Sequence, residues 1–345
     1  VEHLSKNLAE QGHSVSIYSR AWYCKGQKFN QKNITRIFTP TINTKHLDAI
    51  THTFFSSISA LFKDFDVIHY HGVGPSLLAW IPRLFSNKKV ISTFHCIDRK
   101  HGKWGVIAQL TLFLGELASC VFPHETIVVS KEVKRYCKEK YNIKTKYIPN
   151  GVPLFLKAKS KNKLEKWNLK ENNYLLVVSR LISHKGIHYA INAFQEIKNK
   201  IDEKLVIVGG AHQKSNYPEK LKEAAKDEDN IIFTGFQSGK ELKQLFSYAK
   251  LLIAPSDHEG LPITVLEGMS YKLPIVASNI SPHKSLIESN KFLFEKSNSD
   301  KLSQILESIL NKDSQLKQVG EKNRRKIEEK FSWDNIASQV EAVYS

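Results

Sequence analysis

Short apolar runs that alternate with amphipathic stretches of helical period constrain this chain more than any other feature. Asp66-Val-Ile-His-Tyr-His71 and Lys89-Val-Ile-Ser-Thr-Phe-His95 read as strands, with residues 76–85 helical between them. An apolar helix over 104–119, a strand over 126–130 and a Lys-rich helix over 131–140 follow. Lys146-Tyr-Ile-Pro-Asn-Gly-Val152 closes this block on turn signals. The pattern then restarts. Strands over 174–179, 205–210, 230–234, 251–254 and 274–278 alternate with helices over 186–197, 220–226 and 240–248 and with a helix opening near Pro262. Repeated βα units of this kind dictate parallel sheets with helices on both faces. The expected architecture is therefore α/β, with two doubly wound, Rossmann-like parallel-sheet domains, 1–150 and 151–328, facing each other across a cleft. The tail over 316–344 is helical with a break at Phe331-Ser-Trp-Asp334, where Ser332 or Asp334 can cap a last helix carrying Ile336, Val340 and Val343.

The length of 345 residues agrees with two domains, each able to bury a core. With 41% hydrophobic and 25% charged residues the chain is globular, which excludes disordered and fibrous classes. Cys24, Cys96, Cys120 and Cys137 show no paired spacing, so a disulfide framework or zinc site is not expected and a reducing compartment is. Net charge is +17. Residues 1–150 hold 21 Lys/Arg against 10 Asp/Glu, and residues 151–345 hold 30 against 24. The basic first half suits an anionic partner such as a membrane surface, and equally suits plain solvated charge. No apolar run reaches the ~18 residues of a spanning helix. The nearest, Val106–Phe122, contains Gln109 and Glu116 and reads as buried or interfacial. The amphipathic opening, Val1–His13, precedes a strand over 14–18, and no strand stands before it. The sequence thus reads as lacking the first strand and turn of such a sheet, and any targeting segment with them.

Ligands in such folds bind beyond the carboxyl ends of the strands. After strand 174–179, Arg180 and Lys185 share one loop, a pair of cations suited to a diphosphate or to solvent. After strand 251–254 comes His258-Glu-Gly-Leu-Pro-Ile-Thr-Val-Leu-Glu-Gly-Met-Ser270. Pro262 fits the first position of a helix, and the free amides near Gly260, Leu261, Ile263 and Thr264 form an anion site. Glu259 and Glu267 flank that site. Carboxylates repel phosphate but accept hydrogen bonds from hydroxyls, and one can chelate a vicinal diol. A diphosphate on the amides with sugars on either glutamate is a nucleotide sugar, whereas each glutamate taken alone is equally a helix-terminal charge or a surface residue. A glycosidase pair needs two acids flanking one scissile bond, which a single loop and helix rarely supply. Asp64-Phe-Asp66 has the form of a metal-diphosphate motif but stands directly before a strand, where solvent exposure or capping suits it. Strand-end His69, His71 and His95 offer donors and acceptors for a sugar hydroxyl, or are structural. No acidic or Cys residue is spaced to join them as metal ligands.

Taken in order, Ser179-Arg-Leu…Lys185-Gly186, Gly209-Gly210, Phe233-Thr-Gly235 and Pro255-Ser…Glu259-Gly-Leu-Pro…Glu267 resemble the retaining glycosyltransferases of family four, which have the GT-B fold. Lys272-Leu-Pro-Ile-Val-Ala-Ser278, Pro149-Asn-Gly151, Ile127-Val-Val-Ser130, Asp66-Val-Ile-His69 and Phe331-Ser-Trp333 extend the resemblance over nearly the whole chain. Gly268 and Lys272 depart from it, standing where small residues and glycine are commoner. The resemblance implies that Arg180 and Lys185 bind the donor diphosphate, Glu259 the transferred sugar and Glu267 the ribose. The backbone of Gly260, Leu261, Pro262 and Ile263 would meet phosphate and sugar, Gly235 and Phe236 would lie by the base, and His95 would contact the transferred sugar. The helix over 329–345 would cross back to the first domain. The implied protein is a metal-independent hexosyltransferase of the cytoplasm, using a UDP-, GDP- or ADP-sugar and no other cofactor. Its acceptor would be a sugar, a lipid-linked sugar or a glycolipid in cell-surface polysaccharide synthesis. Contact with the inner face of an anionic membrane is expected, and nucleic acid is not a partner. A nucleotide-sugar epimerase, a phosphorylase and a non-catalytic anion-binding protein share the architecture; no lysine lies in an obvious pyridoxal-phosphate motif.

Overall fold

The structure is a computed structural model describing residues 1–24, 31–44, 47–97, 99, 105–211 and 215–345 (for Ile107, the backbone alone). The chain divides into two units, Val1–Gly151 with Trp333–Ser345, and Val152–Ser332.

In the first unit α1 (Glu2–Glu10) buries Leu4 and Leu8, as their spacing of four dictates. Strands β1 (Val15–Ser19) and β2 (Ile34–Phe38) pair in parallel as a sheet of their own, and α2 (Asp48–Leu61) follows. The main sheet begins at β3 (Val67–His71). The single helix expected over 76–85 is instead two short pieces, α3 (Val73–Ser76) and α4 (Trp80–Phe85). Pro82 has no N–H for the carbonyl of Leu78, which accepts from Ile81 at 3.1 Å instead, so the turn tightens and the helix breaks. After β4 (Lys89–Phe94), α5 (Val106–Val121) is the apolar helix of the sequence. Residue 104, its expected start, lies outside the described residues. Then come β5 (Glu125–Val128), α6 (Lys131–Tyr141) and β6 (Lys146–Tyr147), and the sheet runs β3-β4-β5-β6, all parallel. Ser130 caps α6, accepting from the Val133 N–H at 3.2 Å.

The second unit contains β7 (Tyr174–Val178), α7 (Ile187–Ile197), β8 (Lys204–Val208), α8 (Tyr217–Ala224), β9 (Ile231–Gly235), α9 (Gly239–Tyr248), β10 (Leu251–Ala254), α10 (Ile263–Ser270), β11 (Ile275–Ser278), α11 (Ser281–Leu286), β12 (Leu293–Phe294), α12 (Ser299–Ile309) and α13 (Asp313–Lys330). Its sheet runs β12-β11-β10-β7-β8-β9, parallel throughout. Strands buried on both faces read as continuous apolar runs, and Tyr174–Val177 and Leu205–Val208 are at most 2% exposed. From β7 the chain winds outward to β9, then returns to place β10 on the other side of β7. Strand order therefore reverses between β7 and β10, and the crevice for a ligand opens there.

The last helix, α14 (Trp333–Tyr344), belongs to the first unit. Its Ile336, Ala337, Val340 and Val343 share a core with Leu4, Leu8, Ile91, Ile127 and Ile148. The second unit thus reaches Ser332 rather than 328, because α13 runs to Lys330 and only then does the chain return.

Candidate functional site

The loops after β7 and β10 meet at the point of reversal. Gly186, between a tight turn over Ser183–Lys185 and α7, has φ +66°, and a Cβ there would stand 2.0 Å from the carbonyl oxygen of Pro255. Only glycine permits both the left-handed backbone and that approach. Asp257 N–H donates to the His184 carbonyl at 2.9 Å, which locks the two loops together.

The contact brings Lys185 and Glu259 into an ion pair, Nζ to Oε1 at 2.6 Å, with side chains 17% and 14% exposed. Ser256 Oγ donates to the same oxygen at 2.7 Å. Burial pushes the Glu259 carboxyl up, but the Lys185 ammonium and the bonds from Lys185 and Ser256 outweigh it and leave the group below its ordinary value. Glu259 is thus an anion with one oxygen engaged. Its Oε2 accepts no hydrogen bond among the described residues.

Pro262 precedes α10 rather than forming its first residue. Its carbonyl accepts from the amides of Val265 and Leu266 at 3.0 and 3.2 Å. The amides of Gly260, Leu261, Ile263 and Thr264 have no acceptor among the described residues, the condition for binding an anion at a helix N-terminus. Glu267, about one turn into α10, has the opposite environment from Glu259. Burial alone acts on it and raises its pKa to about 7.

The other arm of the loop runs toward β8 and β9. Leu181 N–H donates to Gly210 at 3.2 Å, Gly209 N–H donates to Gly235 at 3.0 Å, and a Cβ at Gly209 would strike the Ser179 carbonyl at 1.8 Å. Beside them Phe236 is 76% exposed, an unusual state for a ring of that size. Arg180 is exposed on this loop and its guanidinium has no partner among the described residues. The structure therefore joins Lys185 to Glu259, gathers Arg180, Gly235 and Phe236 by the neighbouring strand ends, and leaves Arg180 uncommitted.

In the first unit the pleat puts His69 and His71 on one face at the end of β3, with His95 just past β4. The three rings form a column, with centroids 4.1 Å apart between His69 and His71 and 5.7 Å between His71 and His95. His69 is held at both nitrogens, by the Tyr344 hydroxyl at 2.8 Å and Thr93 Oγ1 at 2.7 Å. Burial, then the neighbouring imidazole of His95, lowers His69 to about 3. Burial, then His69 and His95, holds His71 well below its ordinary value. Both rings are neutral at physiological pH.

Three participants escaped sequence reasoning. Tyr344 meets His69 from 275 residues away, with no local signal. Ser256 stands three residues before Glu259, a spacing at which a serine hydroxyl reaches a nearby side chain. His283, fully buried on α11, lies within electrostatic reach of Glu259 and Lys185.

Two family profiles match the chain, one described as glycosyl transferases group 1 over residues 159–326 and one as glycosyltransferase family 4 over residues 1–154. An uncharacterized glycosyltransferase of Methanocaldococcus jannaschii is 29% identical over 67% of this chain and 61% of its own length, so the match spans less than two thirds of that relative. The O-antigen chain mannosyltransferase C of Escherichia coli is 24% identical over 88% of this chain and 83% of its own. Among solved structures, a sucrose-phosphate synthase of Thermosynechococcus elongatus superposes with TM-score 0.83 at 19% identity, covering 99% of this chain and 90% of its own. Anabaena HepE in complex with UDP-glucose gives 0.74 at 17% identity, over 90% and 85%.

Proposed function

Because this chain belongs to the GT-B glycosyltransferases of family four, we propose that it moves a hexose-type sugar, with retention of configuration, from a nucleoside diphosphate sugar to an acceptor hydroxyl. The observation that carries this reading is Glu259, largely buried and ionised, with Oε1 tied to Lys185 and Ser256, directly before a stretch in which the amides of Gly260, Leu261, Ile263 and Thr264 have no acceptor among the described residues. Anion donors and a hydroxyl acceptor stand side by side, which is the chemistry of a sugar joined to a diphosphate. HepE, of the same fold, is named as a complex with UDP-glucose.

The diphosphate takes the free amides, the guanidinium of Arg180 and the unused hydrogens of the Lys185 ammonium. Glu259 Oε2 accepts from hydroxyls of the transferred sugar, and Glu267 from the ribose diol. Phe236 with Gly235 borders the base. As the anomeric C–O bond to the diphosphate breaks, charge develops on the leaving oxygen. Fixed donors stabilise it there more than in the ground state. The acceptor oxygen bonds the anomeric carbon on the same face, and its proton passes to the departing phosphate oxygen. These cations and amides neutralise the leaving group without a metal, so a chelator leaves turnover unchanged.

The acceptor belongs to cell-surface polysaccharide or glycolipid synthesis, as the name of the E. coli mannosyltransferase suggests for that relative. A peripheral site at an anionic membrane fits α5. Val106, Leu110, Leu114, Leu117 and Val121 recur every three or four residues on one exposed stripe, with Val106 86% exposed. The neighbouring α6 exposes Lys131, Lys134, Arg135 and Lys138. Buried Glu116 of α5 accepts from the hydroxyls of Tyr136 and Tyr141 on α6, at 2.8 and 2.7 Å, and fixes the apolar stripe to the basic face. Among the described residues no helix is long and apolar enough to cross a membrane.

Calorimetric titration of the full-length protein with UDP-, GDP- and ADP-sugars tests the reading. One donor binds in the micromolar range, and product analysis shows sugar on an acceptor rather than an isomerised nucleotide. Glu259→Ala narrows the affinity gap between the sugar nucleotide and the bare nucleoside diphosphate, whereas Glu267→Ala weakens both about tenfold or more. No binding of any donor rejects the assignment.

A further inference from the structure

We propose that His283 is a positioning residue that fixes Glu259 through Ser278 and Ser256. The inference rests on Glu259 serving the donor, as argued above, but its geometry stands by itself.

His283 lies in α11, immediately after β11, and is fully buried. Its Nδ1 is 2.9 Å from the carbonyl oxygen of Ser278 and 3.2 Å from Ser278 Oγ. A carbonyl only accepts, so Nδ1 carries the proton and the ring is in its Nδ1–H tautomer. Ser278 Oγ then has its own hydrogen to give, and donates it to the carbonyl of Ser256. Ser256 Oγ donates in turn to Glu259 Oε1. Every hydrogen in this series has one direction, from the imidazole toward the carboxylate. The carbonyl and hydroxyl of Ser256 are both held, which fixes the turn that presents Glu259.

The other ring nitrogen, Nε2, is buried and has no hydrogen-bond partner among the described residues. An orphaned buried acceptor costs stability, and an apolar side chain of similar shape avoids that cost. Packing alone therefore does not account for an imidazole here; the Nδ1–H does. Burial holds the ring below its ordinary pKa, with Glu259 pulling it up and Lys185 pushing it down. The neutral ring positions the ion pair without adding charge to it. With Oε1 pinned by Ser256 and Lys185, Oε2 keeps one orientation for the incoming sugar.

The test compares the full chain with His283→Leu, His283→Asn and Ser278→Ala. Asparagine can supply an N–H near the place of Nδ1, and leucine cannot. Carbon-detected NMR titration of the side-chain carboxyls, with Glu259 assigned from Glu259→Gln, reads the position of that group without any donor. In His283→Leu and Ser278→Ala the Glu259 carboxyl moves up from its depressed value, and His283→Asn restores it. With donor, His283→Leu lowers kcat/KM for the sugar nucleotide about tenfold, while affinity for the bare nucleoside diphosphate stays within about twofold. A folded His283→Leu whose Glu259 titrates as in the parent overturns the proposal, whatever binds. Should His283→Leu not fold, an unmoved Glu259 in Ser278→Ala overturns it equally. A Glu259 that moves in a protein binding no sugar nucleotide leaves the positioning role standing and rejects the donor assignment instead.

Discussion

Glu267 takes up its proton at about 7 because burial is the sole influence on it, while Glu259, eight residues earlier, is kept ionised by Lys185 and Ser256. The unfolded chain releases the Glu267 proton near 4.5, so between 4.5 and about 7 the folded protein holds more protons and stability falls as pH rises. Glu267→Gln removes that loss. Its Tm exceeds that of the parent by about 2–4 °C at pH 8, and the two converge below pH 4.5, as scanning calorimetry across pH will show. On the proposed role of Glu267 the ionised form grips the diol, so donor affinity rises from pH 6 to 8 and binding releases protons. Titrations in two buffers of different ionisation enthalpy measure that release. The spacing of the two carboxylates around the unengaged amides at the start of α10 was legible in the sequence. Their opposite protonation was not, since it depends on Ser256 and Lys185 meeting one glutamate and nothing meeting the other. Arg180 and Lys185 looked equivalent as two cations on one loop, and only the fold separates the paired one from the open one. His283 was invisible for a related reason: its partners are a backbone carbonyl and a hydroxyl, which no residue spacing announces.

Gly186 shows how one position sets the relation between two elements. The loop after β7 can lie against the loop after β10 only because no Cβ stands between Gly186 and Pro255. Gly186→Ala introduces left-handed strain and a clash, and destabilises the protein by about 2 kcal/mol or more. Hydrogen exchange at residues 256–259 rises with it, and affinity for the proposed donor falls as Lys185 withdraws from Glu259. Just beyond, α10 is clamped at its far end by Arg324, whose Nη1 donates to the carbonyls of Ser270 and Phe155, both at 2.6 Å. Tyr271, which follows, stacks between Phe155 and Phe246 at 4.7 and 5.2 Å. Lys272 then adopts φ +63°, a conformation natural to the glycine commoner at that position, while its Nζ pairs with Glu321 at 3.0 Å. On the membrane site proposed for α5, the parent floats with anionic vesicles and Leu110→Glu with Leu114→Glu does not, with Tm within about 2 °C; a parent that stays unbound, or a variant that still floats, rejects that site. The doubly buried strands and their following helices were legible because apolar runs punctuated by turn residues leave little choice. β2 and α2 were not. Among the described residues Ile34-Thr-Arg-Ile-Phe38 pairs with β1 alone, and α2 is rich in Thr, Ser and Phe, which carry weak helical preference. The break between α3 and α4 needed the missing N–H of Pro82 to be weighed against an otherwise acceptable helical pattern.

For the whole molecule, the two larger sheets follow from a strand–helix pattern that stops near residue 150 and begins again at 174. The return of the chain at Trp333 has no such basis in periodicity, because it joins residues more than 180 positions from the rest of their unit. Removing residues 333–345 exposes Leu4, Leu8, Ile91, Ile127 and Ile148 together and takes Tyr344 from His69. Calorimetry of that truncation resolves a transition of the first unit lowered by about 10 °C or more, beside a second-unit transition that hardly moves. The shared core of α1 and α14 also fixes an order of events during synthesis. Residues 152–332 leave the ribosome as one uninterrupted stretch and can complete their core as soon as they emerge. The segment made before them must wait, its apolar surface uncovered, until α14 is translated. Residues 1–151 are thus made before residues 152–332 but complete their core after them.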